Sequence, residues 1–158
     1  MRESFGGRGR RGRALGLVVL AVGAAAVAFS TPASAAEPPR CTTLTDMVRS
    51  GHTIAVPTAK GSTLCQIGRD YAANATVVSR FQFTMRRCYP TLNLASPYSS
   101  EKVGDLYADG SFGARTEAAL KAVQRYIGTA ADGIYGPNTR DRMKFIDDRN
   151  RDCYAYRR

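Results

Sequence analysis

The chain has 158 residues and a formal net charge of +10, with 23 lysines and arginines against 13 acidic residues. That length allows one domain of ordinary size and excludes a second large one once a leader has been set aside. The single histidine, His52, argues against a zinc peptidase and against a Ser-His-Asp hydrolase, which need further metal ligands or a nucleophile motif. No metal and no cofactor is expected.

Residues 1–36 are typical of a secretory signal peptide. Five arginines from Arg2 to Arg13 precede an apolar stretch at 14–29 and a run of small residues that ends at Ala36. The apolar stretch is shorter than the ~20 residues of a membrane-spanning helix, so a retained anchor is the weaker alternative. Cleavage is expected after Ala35 or Ala36. Because this segment holds five arginines and one glutamate, the remaining residues keep +6 of the net charge.

All four cysteines, Cys41, Cys65, Cys88 and Cys153, follow the predicted cleavage site. An even number in an exported chain predicts two disulfides, and the wide spacing argues against zinc. Three pairings are possible, and the sequence does not choose among them. We favour Cys41–Cys65 and Cys88–Cys153, because the first would staple the N-terminal segment and the second would tie a helix end to the C-terminal tail.

Residues 37–73 are predicted to form a small disulfide-linked appendage. A short turn of helix is expected at 41–47. The segments 52–57 and 62–67 favour β-structure and flank Lys60-Gly61, so we expect a small hairpin between them.

A second region, 74–149, is predicted to be the main domain, followed by a tail at 150–158. Asn74 can cap a helix over 75–87, and apolar residues recur along that helix at steps of three and four. This stripe comprises Val78, Phe81, Met85 and Cys88. A long connection without helical periodicity follows at 89–108.

The sequence then repeats itself at a spacing of 23 residues, as DGSFGART at 109–116 and DGIYGPNT at 132–139. Each Asp-Gly pair predicts a tight turn in which glycine adopts positive φ. The second glycine of each copy precedes a predicted helix, and Pro137 suits a first helical position. One helix is expected to bury Ala119, Leu120, Val123, Tyr126 and Ile127 and to stop at Gly128. The other is expected to span 137–148, with Met143 and Ile146 in the core.

These motifs resemble the peptidoglycan-binding-like domain family, over about 74–145. The resemblance is carried by Val78, Phe81, Gln82, Met85, Asp109, Gly110, Phe112, Gly113, Thr116, Ala119, Leu120, Val123, Gln124, Gly128, Asp132, Gly133, Gly136, Pro137 and Thr139. Val123 replaces the family's usual aromatic residue, and Thr129 replaces a leucine. The resemblance implies a mainly α fold: a three-helix domain with a small N-terminal β-hairpin appendage and two disulfides.

The same resemblance implies a ligand-binding surface beside the two turns. Six candidate residues could supply hydrogen-bond donors or flat faces for wall peptides and glycans: Tyr107, Arg115, Tyr126, Tyr135, Asn138 and Arg140. Tyr126 and Tyr135 could instead pack in the core, and the arginines could be ordinary surface residues. The turns themselves are assigned a structural role, through Asp109, Gly110, Gly113, Asp132, Gly133 and Gly136. A calcium loop starting at Asp105 is excluded because Tyr107 and Thr116 would occupy carboxylate positions.

The predicted function is a secreted, non-catalytic and monomeric protein that binds bacterial peptidoglycan at the cell wall. Its basic charge makes anionic wall polymers a second expected partner, whereas nucleic acid is not expected, nor a membrane after cleavage. Two alternatives stay open. One is a small wall hydrolase with Glu101 and Asp105 as its carboxylates in the 89–108 loop. The other is a secreted protein inhibitor built on the same scaffold.

Overall fold

The computed structural model describes residues 37–71 and 73–157, so the predicted signal peptide lies outside the described residues. The chain begins with an antiparallel hairpin of β1 (Thr43–Arg49) and β2 (His52–Thr58). Ser50 and Gly51 link the strands with φ values of 54° and 84°, the signs required by a tight two-residue turn that matches strand twist. The helical turn predicted at 41–47 is therefore wrong, because this segment is extended and pairs with β2 from Thr43 onward.

A second tight turn at Lys60-Gly61 links Ala59 to Ser62, whose backbones exchange hydrogen bonds of 2.8 and 2.9 Å. The hairpin predicted between 52–57 and 62–67 is therefore wrong, because 52–58 pairs with β1 and the pairing across this turn is between Ala59 and Ser62. The chain leaves β2, forms the predicted Cys41–Cys65 disulfide, and pairs Ile67 with Tyr135 far along the sequence. The N-terminal segment is thus joined directly to the second Asp-Gly turn.

Three α-helices are present in the described residues: α1 (Ala75–Cys88), α2 (Ala114–Tyr126) and α3 (Pro137–Arg142). Asn74 caps α1 as predicted, accepting a hydrogen bond from the Val77 N–H at 3.0 Å. The connection between α1 and α2 contains one 3-10 turn, Val103–Asp105. It is anchored on α2 by the Ala95 N–H, which donates to the Ala118 carbonyl at 3.0 Å.

The third helix is much shorter than predicted. It ends at Arg142, and β3 (Lys144–Ile146) pairs antiparallel with β4 (Cys153–Ala155). The Cys88–Cys153 disulfide, the pairing favoured from the sequence, fastens β4 to the end of α1. The extension of α3 to residue 148 was therefore wrong, because the tail supplies a strand partner that a local helical pattern does not reveal. Met143 and Ile146 are buried as expected.

The mainly α, three-helix fold class is contradicted, since helix accounts for 30% and strand for 24% of the structure. The described residues have a mixed architecture of short helices and two two-stranded sheets. These elements share one core, in which the Tyr135 ring packs edge-on against Phe81 and Phe145. Among residues 37–71 and 73–157, no helix has the length and apolar character to cross a membrane.

Candidate functional site

The first Asp-Gly turn is held by a glutamine from α1. The Gln82 side-chain nitrogen donates to Asp109 Oδ1 at 3.0 Å, to the Ser111 carbonyl at 2.9 Å and to Thr116 Oγ1 at 2.9 Å. Its oxygen accepts from the Gly110 N–H at 2.9 Å. Gln82 is 1% exposed, so its amide is fully used inside the protein rather than by solvent. We call Gln82 with residues 109–116 the first turn unit.

The second turn is held in the same way by a glutamine from α2. Gln124 donates to Asp132 Oδ1 at 2.7 Å, to the Ile134 carbonyl at 2.9 Å and to Thr139 Oγ1 at 3.1 Å. Its oxygen accepts from the Gly133 N–H at 2.9 Å. Gln124 with residues 132–139 forms the second turn unit. The glutamine and the threonine thus have equivalent positions in both units.

The turn glycines are required by backbone geometry. Gly110 and Gly133 have φ values of 80° and 79°, which L-residues with a side chain rarely adopt. Gly113 and Gly136 play another part, because each is the N-cap of the following helix and neither helix has a side-chain cap. The first N–H groups of α2 therefore remain available to an anion.

Beside the first turn unit lies a cleft of about 220 Å³, here called the Tyr98 cleft. It is lined by Gln82, Tyr98, Leu106, Tyr107, Asp109, Ser111, Gly113, Ala114, Arg115 and Thr116. Tyr107 is 78% exposed, so its ring is free to meet a ligand. The cleft therefore combines an exposed aromatic face, a cation and the N-terminal end of α2.

Arg115 is positioned by two neighbours from the 89–108 loop. Its Nε donates to the two Glu101 carboxylate oxygens at 3.2 and 2.9 Å, and its guanidinium lies 4.7 Å from the Tyr98 ring centroid. The hydrogen bond with Glu101 raises the pKa of Arg115 above its usual value, so the guanidinium stays cationic. On the other side of the turn, the Gln82 amide and then the Ser111 N–H hold the pKa of Asp109 below its usual range.

Asn138 lies at a different place from Tyr107 and Arg115. It lines a polar depression of about 550 Å³ together with Gly128, Thr129, Ala130, Asp141, Arg142 and Arg157. Tyr126 is not part of the Tyr98 cleft lining either. Its side chain is 64% exposed, and its ring packs edge-on against the Tyr89 ring, with the two centroids 5.8 Å apart. Burial raises the pKa of Tyr89 to about 12. Both Asn138 and Tyr126 remain candidate ligand residues without a shared cleft.

Tyr135 and Arg140 lie in the interior of the protein. Tyr135 is 0% exposed, and burial strongly raises the pKa of its phenol. Arg140 is 5% exposed and donates from Nη1 to the Thr63 carbonyl and hydroxyl, both at 2.8 Å, and from Nε to Asp141 at 2.8 Å. In this structure, Tyr135 fills the core and Arg140 ties α3 to the N-terminal segment.

Two features of the site were not predicted from the sequence. One is Tyr98, and the other is the role of Gln82 and Gln124 in holding the turns. Tyr98 lies in a connection without periodicity, so no local pattern marks it. The glutamines could have been singled out, because they precede the two turns at equivalent helical places and belong to the family pattern. Their polar side chains on otherwise apolar helix faces were the available signal.

Other groupings with catalytic chemistry are sparse in the described part of the chain. Across residues 37–71 and 73–157, no cluster of three or more His, Cys, Asp or Glu side chains could hold a metal ion. His52 Nδ1 lies 3.2 Å from Asp147 Oδ2, and its ring stacks on Tyr154. The Arg149 N–H, and more weakly His52, hold the pKa of Asp147 below its usual range. This pair joins β2 to the loop before β4.

Comparison with known proteins identifies one segment. Residues 98–143 match the family model described as "Putative peptidoglycan binding domain", which confirms the family resemblance seen in the sequence. The match contains both turns, α2, Tyr98, Tyr107 and Arg115, and it begins after α1. No curated protein and no solved structure gave a significant match.

Proposed function

We propose that this chain is an exported, non-catalytic protein that binds peptidoglycan through the Tyr98 cleft. The family match over 98–143 supports the ligand class. The observation that carries the choice of site is the cleft itself, which Tyr107 and Arg115 both line beside the start of α2, where no side chain caps the helix. Two disulfides are compatible with an extracellular location, as is the signal peptide proposed at 1–36.

The chemistry of the cleft suits a peptide stem. Peptidoglycan stems carry carboxylates, which arginine binds with charge-assisted hydrogen bonds. The free N–H groups and positive end of α2 favour the same negative charge. The exposed ring of Tyr107 offers a flat face to a sugar ring or a peptide plane. A stem carboxylate would compete with Glu101 for Arg115.

The contacts of the loop carboxylates support a non-catalytic role. A glycosidase needs two carboxyl groups placed on either side of the bond to be cleaved. Glu101 is committed to Arg115 through both oxygens, and Asp105 lies outside the Tyr98 cleft lining, at the end of the 3-10 turn. We therefore assign Glu101 to positioning Arg115 rather than to bond cleavage.

The direct test is co-sedimentation of the oxidised protein with sacculi stripped of anionic polymers, at low and high salt. We expect binding that persists at high salt and weakens about tenfold in Arg115→Ala, the loss of one charge-assisted contact. Arg125→Ala removes the same charge from an exposed site outside the cleft, and it should bind like wild type. Equal losses in the two variants would contradict recognition by the cleft.

A second variant separates binding from hydrolysis. Glu101→Gln removes the charge that competes for Arg115, so it should strengthen binding to stripped sacculi. Release of soluble fragments by wild type, abolished in Glu101→Gln, would instead establish a hydrolase. Failure of wild type to sediment with sacculi would contradict the proposed function and leave a protein-binding role on this scaffold.

A further inference from the structure

Away from the Tyr98 cleft, the end of α1 carries a cationic cleft with one aromatic ring in its lining. This arginine cleft, about 430 Å³ in volume, is lined by Phe83, Arg86, Arg87, Gly104 and Arg151. It shares no lining residue with the Tyr98 cleft. Three guanidinium groups from two separate parts of the sequence thus converge on one surface.

The ring of Phe83 makes cation–π contacts with three arginines. The guanidinium carbons of Arg86 and Arg151 lie 5.4 and 5.6 Å from its centroid, and that of Arg80 lies 5.9 Å away. Contacts of this kind offset part of the repulsion between like charges. Arg80 is neutralised by an ion pair with Asp148.

The remaining cations have no such partner. Within the described part of the chain, none of Arg86, Arg87 and Arg151 forms an ion pair with a carboxylate. Elsewhere in the described residues, Arg115 is paired with Glu101 and Arg140 with Asp141. The arginine cleft is therefore a concentration of uncompensated positive charge.

The backbone of the cleft is held in an unusual shape. Arg151 has a φ of 65°, a left-handed conformation that disfavours residues other than glycine, asparagine and aspartate. Its N–H donates to the Asp147 carbonyl at 2.8 Å, and its carbonyl accepts from Arg87 Nε at 3.1 Å. The Cys88–Cys153 disulfide fastens the two contributing segments beside these residues. An arginine is thus kept where glycine would be less strained.

We propose that the arginine cleft binds a phosphodiester-linked polymer of the cell wall. Guanidinium groups match phosphate oxygens in geometry and charge. The cleft is open and cationic, which suits consecutive phosphates along a chain. Nucleic acid fits less well, because base stacking requires a free aromatic face and the Phe83 ring is surrounded by guanidinium groups. This site is independent of peptidoglycan binding by the Tyr98 cleft.

The probe is poly(glycerol phosphate), titrated into the oxidised protein at several salt concentrations. Arg86→Gln and Arg151→Asn should each weaken binding by about tenfold, and each lost phosphate contact should reduce the slope of log K against log salt by about one. Arg125→Gln removes the same charge elsewhere and should change binding by less than about twofold. Equal weakening in all three variants would mean attraction by net charge alone and would overturn the proposal.

Stability and ligand choice provide two further checks. Asparagine tolerates the left-handed conformation, so Arg151→Asn should unfold at the same or higher urea concentration while losing affinity. Loss of stability in parallel with affinity would indicate a purely structural arginine. Tighter binding of single-stranded DNA with the same number of phosphates would assign the cleft to nucleic acid instead. All cleft variants should still sediment with stripped sacculi, which separates this proposal from the function proposed above.

Discussion

The two turn units share one internal design and differ in what surrounds them. In each, a buried glutamine binds the aspartate, a backbone carbonyl, the threonine and the glycine N–H of its turn. The first unit opens onto the Tyr98 cleft, with Arg115 exposed at the start of α2. The second is partly covered by the N-terminal segment, through Ile67 paired with Tyr135 and Thr63 bound to Arg140, and its Asn138 lines the separate polar depression.

This difference shows how one motif can serve two purposes in the same protein. The glutamine lock fixes the turn and the start of the next helix in both cases. What the turn then offers depends on whether another segment covers it. We infer that the first unit presents the ligand-binding surface, whereas the second mainly joins α3 to the segment that follows the hairpin.

Replacing the locking glutamines should have the largest effect on stability. Methionine keeps most of the side-chain volume but leaves the turn's polar groups without partners, which typically costs 1–3 kcal/mol for each buried group. We expect Gln124→Met to lower the free energy of unfolding by about 3 kcal/mol and Gln82→Met by about 2 kcal/mol, measured by urea denaturation. The loss at Gln82 is smaller because its partner Gly110 is only half-buried, whereas Gly133 is buried. Water can therefore replace some of the hydrogen bonds lost in the first turn unit. A larger loss at Gln82 would contradict this comparison.

Alanine at the two turn glycines should separate the units further. A Cβ at Gly110 would lie 2.6 Å from the Ala75 carbonyl oxygen, whereas at Gly133 it would lie 2.7 Å from Glu117 Cγ, part of a flexible side chain. Both substitutions carry the strain of positive φ, about 1–2 kcal/mol. Gly110→Ala should therefore lower the thermal midpoint more than Gly133→Ala. Equal shifts would mean that the backbone near Ala75 yields as easily as a side chain.

The smallest effect concerns acid pH and the first unit. Hydrogen bonds from Gln82 and Ser111 lower the pKa of Asp109 in the folded state. Its stabilising contribution is therefore present above the unfolded pKa of about 4 and is lost as pH falls through the lower folded value. Because the carboxylate is exposed and screened by solvent, the contribution should be under about 1 kcal/mol. Asp109→Asn should flatten the acid limb of a plot of unfolding free energy against pH. An unchanged limb would contradict the role given to this carboxylate.

Local signals predicted much of the framework. Asn74 marked the start of α1, Gly128 adopts positive φ just after α2, and the favoured disulfide pairing is the one observed. The fold class was wrong because segments expected to be helical, at 41–47 and at the end of 137–148, contain strands that pair in hairpins. In particular, β3 pairs with β4, which the Cys88–Cys153 disulfide fastens to the end of α1. The helical pattern over 137–148 gives no sign of that strand partner.

The candidate site was predictable only in part, for the same reason. Arg115 and Tyr107 were chosen from their places near the first turn, and the structure brings them into one cleft. Tyr135 is buried in the core like its counterpart Phe112 in the first unit, whereas Arg140 is buried where it binds Thr63 and Asp141. Whether a turn faces solvent is decided by long-range packing, which a repeated motif does not encode. The ligand contacts themselves stay a prediction.

The asymmetry between the two turn units can be tested by an NMR titration of the isotope-labelled, oxidised protein with a soluble disaccharide-peptide fragment of peptidoglycan. The backbone amides of Gly113, Ala114 and Arg115 should shift with added fragment, and the shifts should disappear in Arg115→Ala. The amide of Asn138 should change little. Shifts centred on Asn138 and Arg142, or none at saturating fragment, would contradict the assignment of binding to the first turn unit.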